Sequence, residues 1–510
     1  MGSLRVVALL LLGGCATLPK HVVRPFSTAI AGSPETTLGR LIVPVATEHP
    51  AESGFLLFNT GEGAIQARVA LADVAQSSID AQYYEWAGDQ LGRVLLDRVI
   101  AAADRGVRVR LLIDDYATSG HDIGFAVLDA HPNIEVRVFN PFVRGRWRLP
   151  QHLGRFTELN HRMHNKMFVV DGQSAVIGGR NLTNDYFGMG HEIDFRDFDL
   201  LAIGEVVSRA EAGFDEYWNS QWAYPITTLV EPASVETLRR ARARFDARVA
   251  GDRATFPYPL PRDRAEALAF LEQFRGQVTW AAAEVVYDDP SLMAAPLHAR
   301  ATTVGLKLSA LVEEVRHEVV VENAYLIPQE DLTMLQALRA RNVQVRILTN
   351  SLATTDVVAV NAAYAKSRPA LAKSGVALYE MKPQAASREL YVARPEASRA
   401  RLALHGKAAV FDGEVVFLGS FNLDPRSMYL DTEAVFVVRS AALARQVLEA
   451  FAVDFQPSNA WHIGSVTGKN EAVWVTEHGG SAEVEPHDPA RFWRRVRRSL
   501  VGLLPIRRYL

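Results

Sequence analysis

HNKMFVVD (His164 to Asp171) and HGKAAVFD (His405 to Asp412) carry one pattern, His-x-Lys-(x)4-Asp. The first copy is followed by GGRN, with Gly178, Gly179 and Asn181, and the second by GSFN, with Gly419, Ser420 and Asn422. Equivalent residues keep a constant separation: 405 − 164, 412 − 171 and 422 − 181 each give 241. With each fixed residue at roughly a twentieth of composition, about one chain in twenty of this size would hold one such pattern by accident. A second copy with the same downstream Gly-x-x-Asn removes chance as an explanation. The repetition extends outward. RGVRVRLLIDD (Arg105 to Asp115) is like RNVQVRILTNS (Arg341 to Ser351), and SIDAQYYEW (Ser78 to Trp86) is like VVVENAYLIP (Val319 to Pro328). A period this long is a duplicated domain, not an array of short repeats. Two sets of one ring, one cation and one amide point to a single site assembled from two halves.

The flanks read as alternating helix and strand. Apolar spacing predicts helices over Ile65–Gln76 and Gly92–Arg105, the latter closed by Gly106, and strands over Ser78–Tyr84 and Val107–Ile113. The second half repeats the order: helix near Lys307–Arg316, strand Val319–Tyr325, helix Leu332–Arg341, strand Val343–Thr349. Alternation of this kind indicates layered α/β domains. Each motif reads as a hairpin turning on Asp-Gly, at Asp171-Gly172 and Asp412-Gly413. Histidine and lysine, two apart on a strand, share a face. Asp171 and Asp412 belong to the motif's catalytic set, yet their odd offset and turn position suit bracing better than contact with substrate. Thr237–Arg248 reads as a charged connecting helix, and residues 466–490, rich in Gly, Glu and Ser, as a loop or mobile linker.

Composition sets bounds. At 510 residues the chain expects at least two domains, and a net charge of −3 offers no general basic field for nucleic acid. The one cysteine, Cys15, rules out an intrachain disulfide. Arg5, the short apolar run Val6–Leu12 and then Gly13-Gly14-Cys15 have a signal segment's charge pattern, and LGGC resembles the bacterial lipoprotein cleavage site. Cys15 is therefore the expected lipidation site, on a protein held in the bacterial cell envelope facing the periplasm. The expected divisions are 1–15 signal peptide, 16–50 tether, 51–285 first domain with connecting helices, 286–465 second domain, and 466–510 linker plus C-terminal helix. No apolar run is long enough for a transmembrane helix. Near the end, Trp493, Val496, Leu500 and Leu503 share a helical face beside Arg494, Arg495, Arg497 and Arg498. That pattern fits an interfacial helix on anionic lipid or a terminal helix docked on the core. Arg144, Arg146, Trp147, Arg148 and Arg155 make a second basic, aromatic stretch before the first motif, which fits a headgroup-docking or a solvated loop.

The repeated residues suit phosphodiester chemistry. Lys166 and Lys407 neutralise charge, Asn181 and Asn422 donate amide hydrogens, and the small steps Gly178-Gly179 and Gly419-Ser420 let backbone approach oxygen, so that preorganised donors hold a five-coordinate phosphorus. Two histidines permit a two-step path, one attacking phosphorus and one moving protons. His161 with His164 suggests a metal pair, but the neighbouring lysines repel a cation, so neither metal nor cofactor is expected.

These motifs resemble those of the phospholipase D superfamily, over about Phe55 to Arg439. FNPF and LNHRMHNK before the first motif, and FNLDPRSMYLDTE after the second, are similar to bacterial cardiolipin synthases; the start and the tail SLVGLLPIRRYL are similar to the cardiolipin synthase C type. The resemblance implies two α-β-α sandwich domains related by a pseudo-two-fold axis around a central active site. It implies His164 as nucleophile and His405 as acid/base, each with a carboxylate orienting its ring. Glu433 fits the second half, and Asp197 is the best match in the first, over Asp194 and Asp199. It further implies that Asp424, Arg426 and Ser427 help form the pocket. The activity implied is transfer of a phosphatidyl group from phosphatidylglycerol to a second phospholipid, with phosphatidylethanolamine a possible partner. Hydrolysis by the same residues, and a nuclease of the same superfamily, are the alternatives. Oligomeric state is left open.

Overall fold

The computed structural model describes residues 18–19, 21–117, 120–145, 147–148, 151, 155–328, 333–466, 471–478 and 481–510. Cys15 and Arg146 lie outside the described residues.

The first half supplies strands β1 (Ser53–Phe58), β2 (Ser78–Tyr83), β3 (Arg108–Asp114), β4 (Ile134–Phe139), β5 (Met167–Val170), β6 (Ser174–Gly178), β7 (Ile193–Arg196), β8 (Asp199–Gly204) and β9 (Ala223–Pro225). All but β7 lie in the order β1-β8-β6-β5-β2-β3-β4-β9. The second half supplies β10 (Thr279–Tyr287), β11 (Glu318–Asn323), β12 (Gln344–Asn350), β13 (Ala377–Met381), β14 (Arg401–Leu404), β15 (Lys407–Phe411), β16 (Val415–Gly419), β17 (Ala434–Arg439), β18 (Ala460–Ser465), β19 (Ala472–His478) and β20 (Ser481–Glu485). Without β14 they run β10-β17-β16-β15-β11-β12-β13-β18-β19-β20, the same order with a hairpin added. β1 and β10 pair antiparallel, so the two halves share one 18-stranded sheet.

Strands β2, β3 and β4 are parallel and apolar because both sheet faces are covered. Val109, Leu111 and Ile113 face helices Gly61–Val74 and Gln90–Asp104. Leu112 and Val169 face the opposite way, with Phe214 and Trp218 of helix Val206–Trp218, in a cluster that also takes Phe436, Val438 and Phe451 from the second half. Each half of the sheet is thus sandwiched, and the inner layer is common to both halves. The α-β-α reading and the duplication hold. Arg110, charged inside a buried strand, forms ion pairs with Asp80 at 2.7 Å and Asp215 at 2.8 Å and lies over the Phe214 ring.

Three expected segments differ. Residues 21–50 are not a free tether. Arg24 donates to the carbonyls of Ala223 and Gln221, and Trp218 donates to Ser27. Thr36 caps helix Thr37–Thr47, whose Leu38 and Ile42 are buried, because Leu38, Leu41, Ile42 and Val45 recur at helical spacing. The boundary at 285/286 cuts β10, which begins on β1 and ends on β17 (Tyr287 opposite Ala434). Residues 466–490 are not all linker: Trp474 is buried and donates to Glu380, which anchors the β19–β20 hairpin. The charged connecting helix spans Val235–Ala254. No helix among the described residues is long and apolar enough to cross a membrane.

Candidate active site

Both motif turns form as Asp-Gly requires. Asp171 and Gly172 have φ of +54° and +61°, Asp412 and Gly413 of +51° and +66°, the left-handed region that these residue types tolerate. The aspartates brace. Asp171 accepts from the backbone N–H groups of Gln76, Ser77 and Ser78, and Asp412 from those of Arg316, His317 and Glu318. Each ties its hairpin to the loop entering the central parallel strand. They are structural, and their place among the catalytic residues is corrected.

The histidines and lysines do not share a strand as expected. His164 precedes β5, next to the bridge at Met163, and His405 joins β14 to β15. Each is stitched to the opposite half. His164 N–H donates to Thr432 O at 2.9 Å, and Thr432 N–H to Arg162 O at 2.9 Å. His405 N–H donates to Arg196 O at 2.7 Å, beside the parallel pair of β7 and β14. The Met163–Thr432 bridge is the symmetry mate of the Leu404–Arg196 pairing, since 404 − 163 gives 241 and 432 − 196 gives 236.

The orienting carboxylates consequently cross over. His164 Nδ1 lies 3.0 Å from Glu433 of the second half, and His405 Nδ1 lies 2.7 Å from Asp197 of the first. Asp197 is the orienter among its neighbours, because Asp194 accepts from Gly190 N–H and Asp199 pairs with Arg68. Each lysine donates to its own histidine's carbonyl, Lys166 at 2.6 Å and Lys407 at 2.7 Å.

The electrostatics join the two sets and distinguish them. Burial pushes Asp197 up, but His405, Lys407 and Arg180 outweigh it and hold the carboxyl down at about 2. Burial and Lys407 bring His405 down to about 4 against that carboxylate. Burial raises Glu433 to about 7 despite Lys166, Ser420, Ser427 and Lys407. His164 falls well below the usual imidazole range through burial, Lys166 and Lys407. Burial brings Lys166 down to about 7, with Glu433 opposing and Lys407 reinforcing. The charges of each half therefore act on the residues of the other. His164 is the more open ring, its side chain 13% exposed against 5% for His405.

The small steps serve the carboxylates. A Cβ on Gly179 would lie 2.1 Å from Asp197 Oδ1, one on Gly178 1.9 Å from Asp199 Oδ1, and one on Gly419 2.3 Å from Ala434 O. Ser420 Oγ accepts from Ala434 N–H beside Glu433. These four residues make room for the carboxylate-bearing strands instead of presenting backbone to substrate. Asn181 donates to Tyr186 Oη at 3.0 Å, and the side-chain oxygens of Asn181 and Asn422 are buried without a partner among the described residues. Arg426 is not a free pocket cation: it binds Asp431, Asn160 and the Tyr509 carbonyl, clamping the C-terminus to both halves. Ser427 donates to Glu433 at 2.6 Å, and Asp424 caps the turn that carries it.

His161 does not pair with His164 around a metal; its nitrogens meet the carbonyls of Leu430 at 2.6 Å and Ala295 at 3.1 Å. The basic stretch is clipped down, Arg144 to Asp115 and Asp122, Arg148 to the Asp115 carbonyl and Arg155 to Glu158, while Trp147 stays exposed. Two aromatics went unread in the sequence. Tyr84 meets the His164 ring edge-on at 5.3 Å, and Tyr186 meets His405 at 4.7 Å.

Comparison with known proteins agrees with this arrangement. The family described as "Cardiolipin synthase, PLD-like domain" matches residues 69–218 and 308–455, one match in each half. Cardiolipin synthase C of Escherichia coli is 34% identical over 471 residues, 92% of this chain and 98% of that protein. An uncharacterized Helicobacter pylori protein is 28% identical over 489 residues, 94% of each chain. The crystal structure of phosphatidylserine synthase from Haemophilus influenzae has the same fold, with a TM-score of 0.57 at 13% identity over 92% of this chain and 99% of that one. The chain belongs to the cardiolipin synthase family of the phospholipase D superfamily, a family of phosphatidyltransferase enzymes.

Proposed function

We propose that the protein makes cardiolipin at a membrane, by passing a phosphatidyl group from phosphatidylglycerol through His164 to the glycerol hydroxyl of a second phospholipid. The carrying observation is the crossed pair of imidazoles, each held at Nδ1 by a carboxylate of the other half, which leaves each Nε2 to do chemistry. His164 Nε2 attacks phosphorus, the bond to the departing glycerol oxygen breaks, and His405 protonates that oxygen. His405 then takes the proton of the incoming hydroxyl, whose oxygen attacks phosphorus while the P–N bond breaks and its electrons return to His164. Lys166, Lys407, Asn181 and Asn422 hold the equatorial oxygens. The assignment of roles is supported by the asymmetry. Asp197 stays ionised beside His405 and stabilises an imidazolium, whereas the more open His164 faces a carboxyl raised to about 7. Hydrolysis to phosphatidic acid uses the same residues with water as acceptor.

Membrane association is part of the reading. Helix Phe492–Val501 is docked through Arg494 to the carbonyls of Leu352 and Thr355 and through Arg498 to Asp488, yet its Trp493 (77%) and Leu500 (62%), and Leu503 (81%) in the turn just past it, are exposed. It combines the two readings: arginines fasten one side, and an aromatic, apolar side faces outward, suited to a lipid interface. A lipid anchor at Cys15, in a periplasm-facing envelope lipoprotein, would add to it. Labelled phosphatidylglycerol, with and without phosphatidylethanolamine, tests the function. Labelled cardiolipin is expected; phosphatidic acid alone would establish a hydrolase, and no product would refute both.

A further inference from the structure

Five residues past each asparagine the two copies carry different side chains: Asn181 leads to Tyr186, Asn422 to Ser427. Ser427 turns to the Glu433 carboxylate at 2.6 Å. Tyr186 instead places its Oη 3.3 Å from His405 Nε2, the nitrogen that the proposed reaction uses. No such partner meets His164 Nε2 among the described residues.

The proton of this contact is fixed by its neighbours. Asn181 Nδ2 donates to Tyr186 Oη at 3.0 Å, so the phenol hydrogen points elsewhere. His405 Nδ1 faces the ionised Asp197 and carries the ring's hydrogen, which leaves a lone pair at Nε2. Tyr186 O–H therefore donates to Nε2. Burial holds the phenol protonated, well above its ordinary range. The backbone around it is pinned. Arg180 donates to the Tyr186 carbonyl, Asp89 accepts from Asn184 N–H, and Tyr258 donates to the Phe187 carbonyl. Phe195 closes the other side of the His405 ring at 5.0 Å.

We infer that Tyr186 is a positioning residue for proton transfer at His405: its hydroxyl holds the neutral imidazole by Nε2 and hands that nitrogen to the acceptor alcohol. This rests on the reading of His405 as acid/base. When the alcohol O–H replaces the phenol at Nε2, the phenol hydroxyl is left beside the alcohol oxygen. The alcohol proton moves to Nε2, the oxygen attacks phosphorus, and the P–N bond to His164 breaks. Tyr186 is unchanged at the end.

Among the described residues, the charged and titratable groups facing His405 are Asp197, Lys407 (Nζ at 3.0 Å from Nδ1 and 3.3 Å from Nε2), Tyr186 and Asp356. Two donors approach the Nε2 lone pair of the neutral ring at 3.3 Å, Tyr186 Oη and Lys407 Nζ, and Lys407 also directs a hydrogen to the His405 carbonyl. A bond to the neutral form lowers the pKa. The test uses the full chain on phosphatidylglycerol vesicles with labelled glycerol as soluble acceptor. In Tyr186→Phe, acceptor kcat/KM falls about tenfold, the equivalent of one hydrogen bond, and its acidic limb moves up by about one pH unit. The donor KM and thermal midpoint stay near wild type. With 3-fluorotyrosine at 186, a stronger donor, the limb moves down. An acidic limb unmoved in both proteins would overturn the proposal. If wild type only hydrolyses, the same limb is read with water as acceptor, so failure of the transferase reading leaves this test intact.

Discussion

In the proposed reaction Lys166 adds an alkaline edge. Its ammonium is the form proposed to neutralise phosphate, and burial brings it down to about 7, so that form is present below that pH and is lost as pH rises through it. The donor kcat/KM, which reports free enzyme, is expected to fall above about 7. Lys166→Arg is expected to remove that edge at some cost in rate, because guanidinium stays charged; a pH–rate series on both proteins checks it. Gly179→Ala drives a methyl into Asp197 and is expected to lower kcat about a hundredfold, the scale of an ångström's misplacement. At this scale the sequence was most legible. The histidines, lysines and asparagines are carried by the motif itself. The crossing of the carboxylates was not, because Asp197 and Glu433 sit downstream of the histidines they do not touch. Tyr186 becomes visible only by continuing the alignment of the copies past the asparagines, to where they cease to match.

Among the elements, the hairpins and the central parallel strands were read nearly to the residue, since Asp-Gly turns and apolar runs bounded by Gly106 leave few alternatives. The segments misread were those whose composition and structure disagree. TLGRLIVPVAT carries Pro44 inside a helix, and β20, with its first four residues exposed, has no core face to announce it. The aspartate brace yields a prediction here. Asp171→Ala strands three backbone donors in a part-buried loop and is expected to cost about 1–3 kcal/mol, with a smaller cost for Asp412→Ala at its more open turn. Denaturant titration gives the difference, and activity per folded molecule is expected to survive in both.

Across the whole molecule, duplication provides two near-equal hands and the β1–β10 seam holds them in one sheet. The exposed face of helix Phe492–Val501 lies on the same chain end that Arg426 clamps beside the Asp431–Glu433 segment. Trp493→Ser with Leu503→Ser is expected to weaken binding to anionic vesicles, and sedimentation at low and high salt separates the apolar from the electrostatic part. The central claim is that both halves build one reaction centre. Steady-state turnover of His164→Ala, His405→Ala and the double variant, each shown to be folded, tests it most directly. One shared centre predicts that either single change lowers turnover by about a thousandfold or more, with little further loss in the double variant. Two independent centres would leave about half the activity in each single variant, and that result would contradict the account.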